Sequence, residues 1–157
     1  MPNWAYLLNN FAYNVSLAIW IGGAVVLGAL TAPALFRALP RLQAGSIFGP
    51  TLRKFGRMRL VTVVIAIAAA AVKHFVWEDG RSTVWIAIRW VALGIMAFAI
   101  LYEIGFLERA LEARRVHLTP EMPESDPQRQ QFNVLHHRAE SLMKVSVVAA
   151  VVALMLS

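Results

Sequence analysis

Arg89 is a charged residue inside a long apolar stretch, Trp85-Ile86-Ala87-Ile88-Arg89-Trp90. A cation within a membrane span costs roughly 2.5 kcal/mol or more unless it is paired or hydrated. Its candidate partners are polar residues expected at the same end of neighbouring spans: Asn14, Ser16, His74 and Glu78. Two interpretations stay open. Arg89 lines a shallow outward-facing pocket for an anion or polar headgroup, or it snorkels to the headgroups or pairs structurally with Glu78.

A second group of charged side chains is expected at the opposite end of the spans. Glu103 follows the apolar part of the third stretch, and Lys144 lies at a similar depth on the fourth. Opposite charges at one level of two helices favour an ion pair between them. Together with His136, this level is the second candidate position for a ligand pocket.

The histidines and carboxylates of this second group also have spacings that suit a metal. His136 and Glu140 share a helix face, and His137 precedes Glu140 by three residues. Carboxylates and imidazoles on two antiparallel helices are typical of metal sites in bundles. The candidate metal ligands are His136, His137, Glu140 and Glu108. Two arginines among them oppose a cation, and salt bridges along a solvated hairpin are the alternative.

Cofactor and catalytic patterns are otherwise sparse. Haem between two histidines is disfavoured because His74 lies at the opposite end of the spans from His136 and His137. The chain has no cysteine, so thiol catalysis and thiolate metal sites are excluded. Its serines lack a histidine–carboxylate partnership, apart from Ser141 beside Glu140. The sequence favours a non-enzymatic role and leaves the cofactor open.

Composition places these residues on membrane-spanning helices. The chain has 157 residues, of which 59% are hydrophobic, and its mean hydropathy is +0.58. Soluble domains are usually nearer 45–50% apolar, and the excess here is concentrated in long runs. We predict an all-α integral membrane four-helix bundle in a single domain, 1–157. Its spans are expected at about 14–36, 59–77, 83–102 and 139–157, each near the 20 residues that a bilayer needs.

The charge distribution predicts the orientation. The net charge is +6, and most basic residues lie in the first and third loops. Both loops are therefore predicted to be cytoplasmic, and both termini extracytoplasmic. Spans three and four should continue into the cytoplasm as an antiparallel hairpin, with Ser125 or Asp126 capping the helix that starts at Pro127. These features favour a multi-pass protein of the bacterial inner membrane that contacts anionic lipid and not nucleic acid.

Small and helix-breaking residues shape the first half of the chain. Ala24, Gly28 and Ala32 form a small-residue face on span one, which favours close packing with another helix or a second copy. Pro33 should kink that span near its end. The loop 37–56 is predicted to be a broken amphipathic segment on the membrane surface because of its proline and glycine residues: Pro40, Gly45, Gly49, Pro50 and Gly56.

Two motifs resemble a known group of proteins. They are Trp20-Ile21-Gly22-Gly23 with Ala32-Pro33-Ala34-Leu35-Phe36, Leu39-Pro40 and Gln43-Ala44-Gly45, and then Phe132-x-x-Leu135-His136. They resemble the signatures of small four-span bacterial membrane proteins of unassigned function, to which the animal transmembrane protein two-hundred-five is similar. A distant likeness to copper-resistance membrane domains is weakened by the lack of histidine in span one. The resemblance implies a four-helix bundle and a link to metal or drug tolerance, and it marks Pro33, Phe36 and His136.

Three hypotheses for function follow. The leading one is a membrane protein that binds or helps to transport a small polar or anionic solute, in tolerance to a toxic compound. The second is a redox protein that holds haem or a metal. The third is a scaffold subunit of a membrane complex, or a homo-oligomer, assembled through the small-residue helix faces.

Overall fold

Four long helices account for most of the chain. The structure is a computed structural model, and it describes residues 3–78, 83–115, 119, 122–123 and 125–157. Helix α1 spans Asn3–Ala38, α2 spans Arg41–Val76, α3 spans Val84–Arg115 and α4 spans Pro127–Met155. The described residues contain no strand. The all-α prediction is confirmed.

The helices pack as a closed four-helix bundle. Helix α1 packs against α2 and α4, and α3 packs against the same two helices from the other side. Two rows of small side chains let the helix backbones come close together, because alanine takes up little space. These rows are Ala66, Ala69 and Ala70 on α2, and Ala149, Ala150 and Ala153 on α4. Larger side chains fill the space between these rows: Leu17, Trp20, Leu93, Met96 and Ile100.

The outer surface of the bundle is apolar. Many large hydrophobic side chains point away from the core, including Val61, Val64, Val91, Phe98 and Val148. Among the described residues, three helical segments are long and apolar enough to cross a membrane: Asn3–Ala38, Gln43–Val76 and Val84–Arg115. The protein is therefore a helical membrane protein. A fourth crossing by α4, the span boundaries and the orientation of the termini stay predictions.

The predicted break at Pro40 is confirmed, since α1 ends at Ala38 and α2 begins at Arg41, but the breaks predicted at Gly45, Gly49, Pro50 and Gly56 are wrong. Helix α2 runs without interruption from Arg41 to Val76, with Pro50 inside it. The glycines do not break the helix, because they lie where α3 comes close. A Cβ atom on Gly49 would lie 3.0 Å from Nη1 of Arg115, and one on Gly56 would lie 3.4 Å from Oε1 of Glu108. These glycines make room for α3 to pack closely against α2. That packing stabilises α2, which the glycines were expected to interrupt.

The extensions of the last two helices agree with the sequence. Helix α3 continues to Arg115, and the expected end near His117 lies outside the described residues. Helix α4 begins at Pro127, and the Asp126 side chain accepts a hydrogen bond from the backbone N–H of Gln128. The two extensions pack against each other. The hairpin is confirmed, and the side of the membrane on which it lies stays a prediction.

Helix α1 is irregular where the sequence places Pro33. A π-helical turn, Val26–Thr31, precedes the proline, and the Ala32 N–H donates to the carbonyl of Leu27. The wider turn adjusts the hydrogen bonds around a residue that cannot donate one. The predicted small-residue face is only partly used, since Ala24 is buried but a Cβ on Gly28 would meet no described residue within 4 Å. Packing of Gly28 against a second copy or a partner stays a prediction.

Candidate functional site: two buried arginine–carboxylate pairs

One buried ion pair lies where α2 ends, at the same end of the bundle as both chain termini. We call this the Glu78 end. Arg89 is 3% exposed, and its Nη1 and Nη2 donate to Oε1 and Oε2 of Glu78 at 2.9 and 2.7 Å. This is the two-pronged geometry in which arginine binds carboxylate most strongly. Arg89 therefore pairs with one of its predicted partners and does not extend to solvent.

The other predicted residues of the Glu78 end are close but make different contacts. His74 Nδ1 lies 3.4 Å from Oε2 of Glu78. The Oδ1 atom of Asn14 is buried and has no hydrogen-bond partner among the described residues, and the same holds for Oδ1 of Asn10. The hydrogen bonds from Arg89 lower the pKa of Glu78 below its ordinary value. The structure thus groups Arg89, Glu78 and His74, and it places Asn14 outside that group.

A second buried ion pair joins α2 to α3 at the opposite end of the bundle, which we call the Arg59 end. Arg59 on α2 is 1% exposed. Its Nη2 lies 2.6 Å from both carboxylate oxygens of Glu103 on α3. Glu103 opens a π-helical turn, Glu103–Leu107, and the Glu108 N–H donates to the Glu103 carbonyl. Turns of this kind occur often at functional sites.

The Arg59 guanidinium lies between two aromatic rings and is incompletely bonded. Its Cζ lies 5.3 Å from the centre of the Trp20 ring and 5.1 Å from that of Phe55. Both distances are within the range of cation–π attraction. Within the described part of the chain, its Nε and Nη1 have no hydrogen-bond partner, and neither does Nε1 of Trp20. Buried donors are rarely left in this state, so the site has spare capacity to bind an acceptor.

A ladder of contacts continues from this pair along the extensions of α2 and α3. Glu108 lies against Gly56, and Arg53 pairs with Glu112 at 3.2 Å. The exposed fractions of the Arg53 and Glu112 side chains are 41% and 59%. The ladder therefore passes from a buried rung at Arg59 to a solvated one at Arg53. Of these two ion pairs, the one at Arg59 contains polar atoms that are buried from water, the Nε and Nη1 of Arg59.

The predicted ion pair between Glu103 and Lys144 is wrong. Glu103 binds Arg59, while Lys144 Nζ lies 2.7 Å from Oε1 of Glu140, four residues earlier on the same helix. A neighbour on the same helix turn costs little side-chain entropy, and Arg59 reaches Glu103 from inside the bundle. Glu103 is therefore paired with Arg59 and not with Lys144, and a pocket at the His136–Glu103 level stays a prediction.

The four candidate metal ligands are not brought together. His137 Nδ1 lies 3.6 Å from Oε2 of Glu140, while the His136 ring stacks on Phe132 with centroids 6.2 Å apart. Glu108 is on α3, against Gly56. Among the residues that the structure describes, no group of three or more histidine or acidic side chains could hold a metal ion.

The surface grooves lie away from both ion pairs. One, of about 380 Å³, is lined by residues of the α3 and α4 extensions, among them Arg114, Gln130 and Leu135. Another, of about 400 Å³, is lined by residues that include Tyr102, His137 and Ser141. Both are open to the surroundings, and neither is lined by Arg59, Arg89 or their carboxylates. We therefore regard the buried pairs, and not these grooves, as the candidate site.

Comparison with known sequences supports the resemblance at the level of the family. A family described as a domain of unknown function (DUF4149) matches residues 15–117, which is more than half of the chain. The chain belongs to this family. No curated protein and no solved structure matches it. Membership of a group of unassigned function is confirmed, while the likeness to the animal protein and to copper-resistance domains stays a prediction.

The family match includes the residues of both buried pairs. It also includes Pro33, which follows the π-helical turn of α1, and Phe36, whose ring packs edge-on against Phe48 with centroids 6.3 Å apart. His136 lies beyond the matched residues. Whether Pro33 and Phe36 serve function or structure alone stays open.

Sequence reasoning missed Arg59. It was counted among the basic residues that orient the first loop, although it directly precedes an apolar run. Glu103 directly follows the apolar run of the next helix. Two opposite charges at the same end of neighbouring antiparallel helices are the signal that could have identified the pair.

Proposed function

We propose that this family member is a non-enzymatic membrane protein that binds a small polar or anionic solute inside its bundle and passes it along the seam between α2 and α3. The two buried ion pairs act as gates at the ends of that seam. A gate is an ion pair that closes the interior when formed and admits water or solute when broken.

The observation that carries this proposal is that the two pairs tie α3 to opposite ends of α2, one from Arg59 on α2 itself and the other from Glu78, two residues after α2 ends. The cation is on α2 at the Arg59 end and on α3 at the Glu78 end. Arg89 and Glu103 are fourteen residues apart on α3, which is about 21 Å along a helix. The two pairs therefore bracket most of the thickness of a bilayer core.

We place the seam along small buried residues of α2 that lie between Arg59 and Glu78 in the chain: Thr62, Ala66 and Ala70. Short side chains leave few contacts to lose when two helices separate. An unpaired buried charge is costly, so each pair opens only when water or a charged solute takes the place of the lost partner.

Cysteine labelling tests the proposal directly, because the chain contains no cysteine of its own. Ala66→Cys places a thiol in the seam, at a fully buried position. A charged methanethiosulfonate reagent is added to either face of reconstituted vesicles, and the rate of thiol modification is measured. We expect Glu103→Gln to increase labelling from the Arg59 end, and Glu78→Gln to increase it from the other face.

The matched control is Glu112→Gln, which breaks an exposed pair on the same ladder and should leave labelling unchanged. Glu103→Asp keeps the charge but shortens the side chain, and it serves if Glu103→Gln does not fold. The proposal fails if neither gate variant changes the rate, or if each changes labelling equally from both faces.

The finer parts of the proposal concern orientation and physiology. The basic residues near Arg59 favour placing the Arg59 end in the cytoplasm of a bacterial inner membrane. The resemblance favours solutes that are toxic, and growth of a deletion strain on a panel of such compounds tests that role. Sensitivity that is rescued by the native chain but not by Arg59→Met would support it.

A scaffold role is the second candidate, and one observation favours it. Gly22 and Gly28 lie on α1, and a Cβ atom on either would meet no described residue within 4 Å. A small-residue surface of this kind suits another helix, from a second copy or a partner subunit. Under this hypothesis Gly28→Leu would lower the mass of the particle purified in mild detergent, whereas the transport proposal expects no change.

A further inference from the structure

The most informative feature of the Arg59 end is its excess of unused donors. A guanidinium offers five N–H groups, and Glu103 occupies only Nη2. The Nε and Nη1 atoms remain, together with Nε1 of Trp20, and all three are buried without partners among the described residues. The Trp20 ring is the same ring that covers the guanidinium. A ligand for this site must therefore supply acceptor atoms.

The burial of the site limits the charge of that ligand. Arg59 carries one positive charge, which Glu103 balances in the closed structure. The cost of moving an ion out of water grows with the square of its charge, so a doubly charged ligand is strongly disfavoured in this interior. A singly charged oxyanion that takes the place of Glu103 keeps the site neutral.

The walls of the site indicate an apolar body behind the charged group. Trp20 and Phe55 cover Arg59, and both are buried. Val63, one turn further along α2, and Ile100 on α3 belong to the buried hydrophobic residues of the bundle. A fully hydrated inorganic ion gains nothing from such walls, whereas an aliphatic or aromatic body does.

Phe55 is the residue that covers the site from the α1 side. A Cβ on Gly23 would overlap Cε2 of Phe55, so the ring lies directly on the bare backbone of that glycine. Any other residue at position 23 would displace the ring from Arg59.

The Arg89 pair does not share this capacity. Two of its nitrogens bind the two oxygens of Glu78, and within the described residues Nε alone is left. The unsatisfied groups near the Glu78 end include the acceptors of Asn10 and Asn14. An anion is therefore better received at Arg59 than at Arg89.

From these observations, and resting on the proposed binding function, we infer that Arg59 and Trp20 bind a singly charged oxyanion carried on an apolar body, which displaces Glu103. A free lipophilic carboxylic acid and an anionic phospholipid both have this chemistry. The oxyanion accepts from Arg59 and from the indole N–H, and the apolar part lies against the aromatic rings.

The test is equilibrium binding of radiolabelled octanoate to the full chain in phosphatidylcholine nanodiscs. We expect saturable binding that Arg59→Met abolishes. Trp20→Phe keeps the ring but removes the N–H, and should weaken binding about tenfold, the loss expected for one hydrogen bond to a charged group. The matched control is Arg53→Met, an exposed arginine that should not matter. Discs that contain phosphatidylglycerol identify the source, because a lipid ligand will compete with octanoate.

The outcomes separate this inference from the proposed function. Binding of inorganic phosphate that depends on Arg59, without octanoate binding, overturns the ligand class but leaves the binding function standing. If octanoate uptake is the same in the native chain, Arg59→Met and Trp20→Phe, the octanoate has partitioned into lipid. That result overturns the assignment of Arg59 and Trp20 as the binding site. If Arg59→Met does not fold, the Trp20→Phe result decides. The absence of binding by any probe counts against both proposals.

Discussion

The two members of the Arg59–Glu103 pair should differ in their importance for stability. Arg59 is 1% exposed, whereas the Glu103 side chain is 16% exposed. Removing Glu103 leaves a buried guanidinium that has lost its carboxylate. Removing Arg59 leaves a carboxylate that lies nearer to water. The order of the two costs therefore follows from burial.

The same contacts set the expected loss in the free energy of unfolding for each variant. Truncating one partner of a buried pair costs about 3–5 kcal/mol. Glu103→Ala should be near the lower limit, about 3 kcal/mol, because its carboxylate is partly exposed. Arg59→Met keeps aliphatic contact with both aromatic rings and removes two nitrogens that lack partners among the described residues, so about 1 kcal/mol is expected. The difference of about 2 kcal/mol corresponds to roughly thirtyfold in the unfolding equilibrium.

The assay is reversible unfolding in mixed micelles, with the free energy of unfolding taken from the denaturant titration. The double variant Arg59→Met with Glu103→Leu should be about as stable as Arg59→Met alone, since neither charge of the pair remains. Glu112→Gln on the exposed rung should cost about 0–1 kcal/mol. Equal costs for the two single variants, or a larger cost for Arg59→Met, would refute this account of the pair.

Three further predictions concern other parts of the bundle. Gly23→Ala should destabilise by about 1–3 kcal/mol because its Cβ overlaps a buried ring, whereas Gly22→Ala, with open space around it, should be neutral or slightly stabilising in the same titration. Tyr13→Phe should cost about 1 kcal/mol through loss of the hydrogen bond to the Ala153 carbonyl; an unchanged free energy of unfolding would contradict this. The lowered pKa of Glu78 means that, as pH falls, the unfolded chain takes up a proton before the folded chain does. Stability should therefore be constant above the ordinary pKa of a glutamate and decline below it, and Glu78→Gln should remove that decline in a pH series of thermal unfolding.

Much of the fold could be predicted because long apolar runs report directly on helices in lipid. The sequence indicated all-α structure, the extension of α3 and the start of α4 at Pro127. It misled at Gly45, Gly49 and Gly56, because a glycine that ends a helix and a glycine that admits a neighbouring helix look alike in sequence. The difference depends on Arg115 and Glu108 of α3, which lie more than fifty residues further along the chain.

The candidate site was harder to predict for a related reason. Arg89 was identified because a charge in the middle of an apolar run is conspicuous. Arg59 was not, because a basic residue at the edge of a span is ordinarily a topology signal. Its burial depends on Phe55 and Trp20, which come together only after α1 and α2 pack. Lys144 was assigned to Glu103 by depth, although a carboxylate one turn away on its own helix was closer.

The two ion pairs differ in how fully their buried donors are bonded, and this bears on whether each pair opens as a gate or only stabilises the fold. A pair that only stabilises the fold is expected to satisfy its buried donors, as the pair at the Glu78 end nearly does with two parallel hydrogen bonds. The pair at the Arg59 end does not satisfy its donors. Both oxygens of Glu103 bind Nη2 of Arg59, and within the described residues the Nε and Nη1 atoms of Arg59 have no hydrogen-bond partner.

The Arg59 end is also where the π-helical turns of α1 and α3 occur. The closed Arg59–Glu103 pair is therefore less stable than a pair in which every donor of the guanidinium is bonded. We take this as the physical reason to expect that the Arg59 end opens first, and labelling of Ala66→Cys should therefore be faster from that face even before either gate is mutated.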